Sequence, residues 1–276
     1  MNLVYLILAK NEVLWERDKE TQEKTWATED SKKSIRYLYG LGDSVPSSPN
    51  SLIVDCADEY QKILEKTVLG VQEVLNQFRF DYLVRSNVST YFDTDRLMAK
   101  IRKIPKKIPV ACGFIEEHRT AFPFQLPYQL FISGSAIILN SSAAQILSKM
   151  DWSVYDSIPD DVAISHYLWA NNVTFYHLAR SNYHVTHLPL PMAVYRLKSS
   201  EFSELTSTRM KLLSQLREAD NRGLKILLFF KLLKIELATS HRNHTVFRDF
   251  VSRLVMHGVY RIRCTIHINR LRIGRI

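Results

Sequence analysis

The spacing of apolar positions changes period repeatedly along the first two-thirds of the chain. Residues 3–9, LVYLILA, form an unbroken apolar run and predict a buried strand. The polar stretch from Arg17 to Ala27 favours a helix. IRYLYGL (35–41) predicts a second strand, closed by a Gly-Asp and a Pro/Ser/Asn loop, and SLIVD (51–55) a third. In the next segment Tyr60, Ile63, Leu64, Val68, Val71, Val74, Leu75 and Phe78 recur at helical spacing, which predicts a long amphipathic helix with one core face. FDYLVR (80–85) predicts a fourth strand, followed by a helix over about 95–103. IPVACGF (108–114) and LFISGSAIIL (130–139) predict strands on either side of a loop rich in aromatics and proline. Ser141 can cap the helix SSAAQILSKM. The opening of PDDVAISHYLWANN, a proline followed by two acids, marks another helix N-terminus. VTFYHL and YHVTHL read as late strands. Strands alternating with helices imply an α/β fold, with a mainly parallel twisted sheet and helices on both faces. Ligands of such sheets bind beyond the carboxyl ends of the strands.

Charge divides the chain more sharply than the pattern does. From Arg222 onward twelve Lys and Arg residues face only Glu236 and Asp249, so residues 222–276 carry +10 and residues 1–221 carry −1 of the net +9. The expected organisation is therefore a catalytic domain over 1–221 and a basic, amphipathic C-terminal extension over 222–276. The extension alternates apolar and basic positions in LLFFKLLKIE, FRDFVSRLVMHGVYRIR and INRLRIGRI. A helix of that kind can lie on an anionic membrane surface, while a helical subdomain packed on the body is the competing reading. No nucleic-acid motif accompanies the basic residues, so no nucleic-acid partner is expected. Cys56, Cys112 and Cys264 are odd in number and far apart, which excludes a disulfide framework and fits a reducing compartment. The apolar run near the N-terminus is too short for a membrane span or a signal core, so it reads as the first strand. A cytoplasmic enzyme, peripheral at the membrane's cytoplasmic face, is the expectation.

Five short motifs then occur in order. Arg17 and Thr25-Trp26 come first, then DEYQKILEKT with Lys66-Thr67, then the strand FDYLVRSNVSTYFDTDRL. Gly134 follows the aromatic-proline loop, and Pro159-Asp160-Asp161-Val162 closes the series. This series resembles the fringe and beta-1,3-galactosyltransferase family over roughly residues 3–190. The resemblance implies a GT-A (nucleotide-diphospho-sugar transferase) fold and an inverting hexosyltransferase. The donor would be a nucleotide sugar, UDP-linked, and the acceptor a hydroxyl of a glycan or lipid-linked glycan. It assigns Asp161 as the catalytic base and leaves Asp160 as a helix-capping or acceptor-binding acid. Independently, glycosyl transfer needs a base for the acceptor hydroxyl and a stabiliser for the departing diphosphate. An acid pair at a helix start can supply the first.

The family's metal-binding D-x-D is replaced here by Asn87-Val88-Ser89. Divalent cations under a diphosphate want anionic oxygen ligands, so a manganese or magnesium ion is expected to be weakly bound or dispensable. Asn87, Ser89, His184 and His187 are the candidate metal ligands. A literal D-x-D at Asp93-Thr94-Asp95 reads better as a helix cap. Lys10, Arg17, Arg85 and Arg196 are cations that can take over the phosphate. Gly134 and Ser135 are expected to shape the wall of the donor or acceptor site. A non-catalytic glycan- or nucleotide-binding relative that has lost its metal acids is the alternative function.

Overall fold

The computed structural model describes residues 1–30, 32–41, 48–117, 130–155, 158–182, 192–197, 205–219, 231 and 273–275, with backbone alone for 182 and 273–275. His184, His187 and the body of the basic extension lie outside the described residues.

Eight strands form the main sheet in the order β11-β8-β6-β7-β4-β1-β2-β3. They are β1 (Leu3–Leu8), β2 (Lys33–Leu41), β3 (Ser51–Ala57), β4 (Tyr82–Asn87), β6 (Val110–Glu117), β7 (Leu130–Asn140), β8 (Thr174–His177) and β11 (Ile273–Arg275). Only β7 runs antiparallel to its neighbours. A smaller sheet joins β5 (Thr90–Phe92), β10 (Val194–Arg196) and β9 (Ser181–Asn182). Asn87-Val88-Ser89 is therefore the turn by which the chain passes from one sheet to the other. The short strands of the second sheet carry too few residues for a period-2 signal, and the sequence pattern does not predict them. The extension's last strand, β11, pairs with β8 at the edge of the main sheet.

Strand alternation fills both faces. In β1, Leu3, Tyr5 and Ile7 enter one apolar cluster while Val4, Leu6 and Leu8 enter the other. The second cluster is roofed by α2 (Ile63–Gln77), α4 (Ser141–Leu147) and α5 (Asp160–Ala170). The first is covered by α3 (Thr94–Ile101) and α6 (Thr206–Glu218), and around Trp26, Tyr5 and Phe92 it is an aromatic cluster with ring centroids 4.9–5.4 Å apart. The predicted long helix appears as α2, preceded by a 3-10 turn at Tyr60–Lys62. The first helix, α1 (Val13–Glu23), begins and ends four residues earlier than its polar composition suggests. It leans on α6, where Ser207 donates to Asp18 at 2.7 Å, a contact across the chain that no local pattern contains. Among the described residues, no helix is long and apolar enough to cross a membrane.

One irregularity matters for everything that follows. The β6–β7 register pairs Ile115 with Ile132 but Gly113 with Ile137, so β7 carries extra residues between those two pairs. Its pairing with β4 likewise stops at Ala136. Ser133, Gly134 and Ser135 thus arch out of both ladders as a β-bulge, a device that re-aims backbone and side chains next to sites. The arch presses on Gly113: a Cβ there would stand 2.4 Å from both the Ala136 carbonyl oxygen and Ile132 Cγ2. Because one neighbour is backbone, Gly113→Ala is expected to destabilise by about 1–3 kcal/mol or more. In thermal denaturation the midpoint should fall by several degrees; an unchanged midpoint would mean that the bulge is free to shift.

Candidate active site

At the start of β7 the bulge meets the N-terminus of α5, at the carboxyl end of the parallel strands. The Gly134 N–H donates to Asp161 Oδ2 at 2.9 Å. The Gly134 carbonyl accepts from Arg85 Nη1 at 2.8 Å. The other terminal nitrogen of Arg85 donates to Asp160. The backbone of one residue, freed from the ladder, therefore holds both the acid and the cation in place. A second stitch fixes the register: Ile132 N–H donates to Ser165 Oγ at 2.9 Å, and that hydroxyl donates to the Asp161 carbonyl at 2.7 Å. A Cβ on residue 134 would lie 2.8 Å from Arg85 Nη1 and 3.4 Å from Asp161 Oδ2, so a larger residue there would require the Arg85 side chain to shift.

Arg85 occupies a place on β4 where the alternation calls for a core residue, and it is buried. A buried guanidinium needs a partner of opposite charge, and Asp160 supplies it. Asp161 is in a different state. Burial pushes its pKa up to about 6, the Asp160 carboxylate beside it adds to the rise, and the Gly134 N–H and Arg85 hold it back only in part. Two adjacent acids thus take two roles: Asp160 is the counter-ion of Arg85, and Asp161 is the carboxylate with raised basicity.

On the far side of the arch lies a second cation that sequence reasoning missed. Arg180 is buried, donates to Ser133 and to Ser135 Oγ (2.6 Å), pairs with Glu116, and stands 4.5 Å above the Phe114 ring. Burial lowers its pKa to about 10, so it stays charged at neutral pH; Arg196 nearby contributes to the fall. A signal for this site was available, because Ser133 and Ser135 are two residues apart in an apolar strand and so present two hydroxyls on one side.

The remaining predicted residues separate into those near this centre and those committed elsewhere. Arg196 aligns with Thr90 across the small sheet, beside the Asn87–Ser89 turn, and no carboxylate pairs with it among the described residues. Lys10, just beyond β1, forms an ion pair with Glu12 at 2.5 Å. Arg17 lies on α1 with Asp18 at 3.7 Å. Asp93 caps α3 by accepting from the Arg96 N–H at 3.1 Å, and Asp95 pairs with Arg217, so this acid pair is a helix start.

Comparison with solved structures follows this geometry. A glycosyltransferase involved in glycosylating the major capsid of PBCV-1 is similar over 77% of this chain and all of its own, at 12% identity and a TM-score of 0.50. The galactosyltransferase LgtC, in complex with donor and acceptor sugar analogues, covers 82% of this chain and 99% of its own at 10% identity, with a TM-score of 0.48. The fold is GT-A. The apo glycosyltransferase GlyE of Streptococcus pneumoniae TIGR4 is more distant, covering 87% of this chain and 64% of its own at 11% identity and a TM-score of 0.41. No family profile matches the chain, and no curated protein matches it in sequence.

GT-A folds generally use a divalent metal, and the residues described here do not suit one. Asn87 Oδ1 is taken up by its own turn: it accepts from Ser89 Oγ at 2.7 Å and lies 3.1 Å from Thr90 Oγ1. Thr90 Oγ1 in turn reaches the Ser135 carbonyl at 3.0 Å, tying the turn to the bulge. The two polar side chains on either side of Val88 are thus bonded to each other. Among the described residues no group of three His, Cys, Asp or Glu side chains could hold a metal ion.

The raised pKa of Asp161 has a consequence for stability. A carboxyl whose folded pKa lies above its unfolded value contributes stability at low pH, and that contribution is lost as pH rises through about 6. Asp161→Asn removes the buried charge and keeps an acceptor for the Gly134 N–H. The variant should therefore melt at or above the wild-type midpoint at pH 7.5, and the difference should shrink towards pH 5. A variant clearly less stable at pH 7.5 would show that Asp161 is held there as a satisfied, structural carboxylate.

Proposed function

We propose that this protein is an inverting glycosyltransferase that moves a hexose from a nucleoside diphosphate carrier, UDP, to a hydroxyl of a glycan or lipid-linked glycan. The observation that carries the reading is the state of Asp161 in a GT-A fold. It is a partly buried carboxylate of raised basicity, held in one orientation by a bulge peptide at the carboxyl end of the sheet. A base working near neutral pH is most effective when its pKa approaches that pH while it stays mostly ionised. The acceptor oxygen attacks the anomeric carbon as its proton passes to Asp161. The bond from that carbon to the phosphate oxygen breaks, and the diphosphate leaves with the electron pair.

The leaving group gains negative charge, and the local cations meet that need without a metal. Among the described residues Arg196 is the guanidinium beside the turn with no carboxylate partner, and the nearby Arg180 adds positive potential. Lys10, Arg17 and Arg85 are engaged by Glu12, Asp18 and Asp160 and serve the site's architecture. Guanidinium groups bind phosphate oxygens in pairs, so Arg196 is well suited to the diphosphate.

Two measurements bear on this reading. With a panel of UDP-sugars, Asp161→Asn should lower transfer or donor hydrolysis by about 10²–10⁴ while leaving UDP binding within a few-fold. If the wild-type protein binds UDP-sugars and turns none of them over, it is the non-catalytic relative. Separately, Arg196→Ala should cost about 10²–10³ in kcat, the usual effect of removing one stabiliser of developing charge. Excess EDTA should leave most of the wild-type activity. Complete loss restored by manganese would refute the cationic assignment and turn attention to His184 and His187.

A further inference from the structure

A cavity of about 580 Å³ opens on the other side of Asp160 from Arg85. Its walls are the 3-10 turn at Tyr60–Lys62 with the first turn of α2, a second 3-10 turn at Trp152–Tyr155, and the N-terminus of α5. The volume lies within the range of about 300–1,000 Å³ typical of small-molecule sites. Asp160 lines it, and the proposed base is the next residue along α5, its own carboxylate held by Gly134.

Its lining selects a chemical class. Trp152, Tyr155 and Tyr60 supply three aromatic rings. Tyr155 is fixed, with its hydroxyl 3.0 Å from His166 Nδ1 and the two rings 5.6 Å apart edge to face. Trp152 packs against the apolar cluster beneath α2, so two of the rings form a rigid wall. Tyr60 is 78% exposed at the rim, where its ring is accessible to a ligand. The charged groups are Lys62 and Glu65, which neutralise each other at 2.9 Å, and Asp160, whose cation lies behind it. Among the described residues no unpaired cation lines the cavity. A nucleoside diphosphate would leave its phosphates uncompensated here, next to a carboxylate. A pyranose ring suits it well: its C–H face meets the electron-rich faces of the aromatic rings, and its hydroxyls meet Gln61, Glu65 and Asp160.

We infer that the cavity between α2 and α5 is the acceptor site, and that it takes a neutral, unphosphorylated sugar stacked between Tyr60 and Trp152, with Asp160 accepting one of its hydroxyls. The inference rests on the transferase reading for its role, because a sugar seated there presents a hydroxyl to Asp161. It adds the substrate's charge and the residues that recognise it. The donor nucleotide is thereby assigned to the opposite side of the carboxylate pair, towards Arg196.

The test uses the full chain and saturation-transfer-difference NMR, with lactose, maltose, cellobiose and N-acetyllactosamine as probes and UDP as the control ligand. At least one disaccharide should give a signal that Tyr60→Ala reduces fivefold or more, while UDP binding is unchanged. Tyr60 is exposed, so this variant folds normally; Trp152→Ala probes the opposite wall, with circular dichroism as the check on folding. With a turned-over donor, Tyr60→Ala should raise the acceptor KM and leave donor hydrolysis intact. Three results would overturn the inference: no disaccharide binding, binding indifferent to Tyr60→Ala, or displacement of the sugar by UDP. Donor hydrolysis that depends on Asp161 but is accompanied by any of these would leave the transferase reading standing and remove the cavity from it. Sugar binding without any donor turnover would remove the transferase reading instead.

Discussion

The Gly134 peptide is the constraint on which the site depends. In a regular strand its N–H and carbonyl would pair with neighbouring strands; in the bulge they are free, and buried polar groups left unpaired are costly. Asp161 and Arg85 satisfy them, one at each end. The backbone thereby holds the Arg85 cation and the helix that bears Asp161 against the bulge with no side chain of its own. Every other contact in the centre follows: Asp160 must neutralise Arg85, Ser133 and Ser135 turn towards Arg180, and Gly113 must lack a side chain to let the arch pass.

Much of this arrangement is legible in the sequence, in proportion to how local its causes are. The apolar runs of β1, β4 and β7 and the periodic face of α2 depend on neighbours within one element, and they appear close to where the pattern puts them. The Pro-Asp-Asp start of α5 is equally local. The bulge is not, because an offset in register exists only between strands. Arg180 is hidden for the same reason: its partners Ser133 and Glu116 are 47 and 64 residues away. The misplacement of α1 has a similar origin, since its docking on α6 joins residues 189 positions apart.

The acid pair Asp93 and Asp95 shows how a motif and its physics can part. Read as letters, it is the D-x-D that a metal would need; read as a helix start, Asp93 occupies the N-cap and Asp95 the first turn, where acids offset the helix dipole. The structure has the second arrangement, with Arg96 and Arg217 taking both carboxylates. Conversely, Asn87 and Ser89 sit at the turn between the two sheets, and there they bond to each other. Neutral hydrogen-bonding partners hold this turn without the negative charge that a metal would offset. A diphosphate departing beside such a turn would either go unstabilised or be stabilised by cations.

The distribution of charge around the sheet's carboxyl end favours the second outcome. Asp161 stands between two regions of opposite character. Towards the small sheet lie Arg180 and Arg196, of which, among the described residues, only the first has a carboxylate partner, Glu116. Towards α2 lie aromatic rings, a neutralised Lys62–Glu65 pair and the carboxylate of Asp160. An anion is attracted to the first region and repelled by the second, whereas a neutral polyol loses little in either and gains stacking only in the second. Two substrates differing mainly in charge would therefore sort themselves to opposite sides of one carboxylate. The raised pKa of Asp161 has a different origin: burial comes first and the Asp160 carboxylate second, and Arg85, already held by Asp160, offsets them only in part. On the proposed reading, charge would separate donor from acceptor while burial would set the basicity of the group between them.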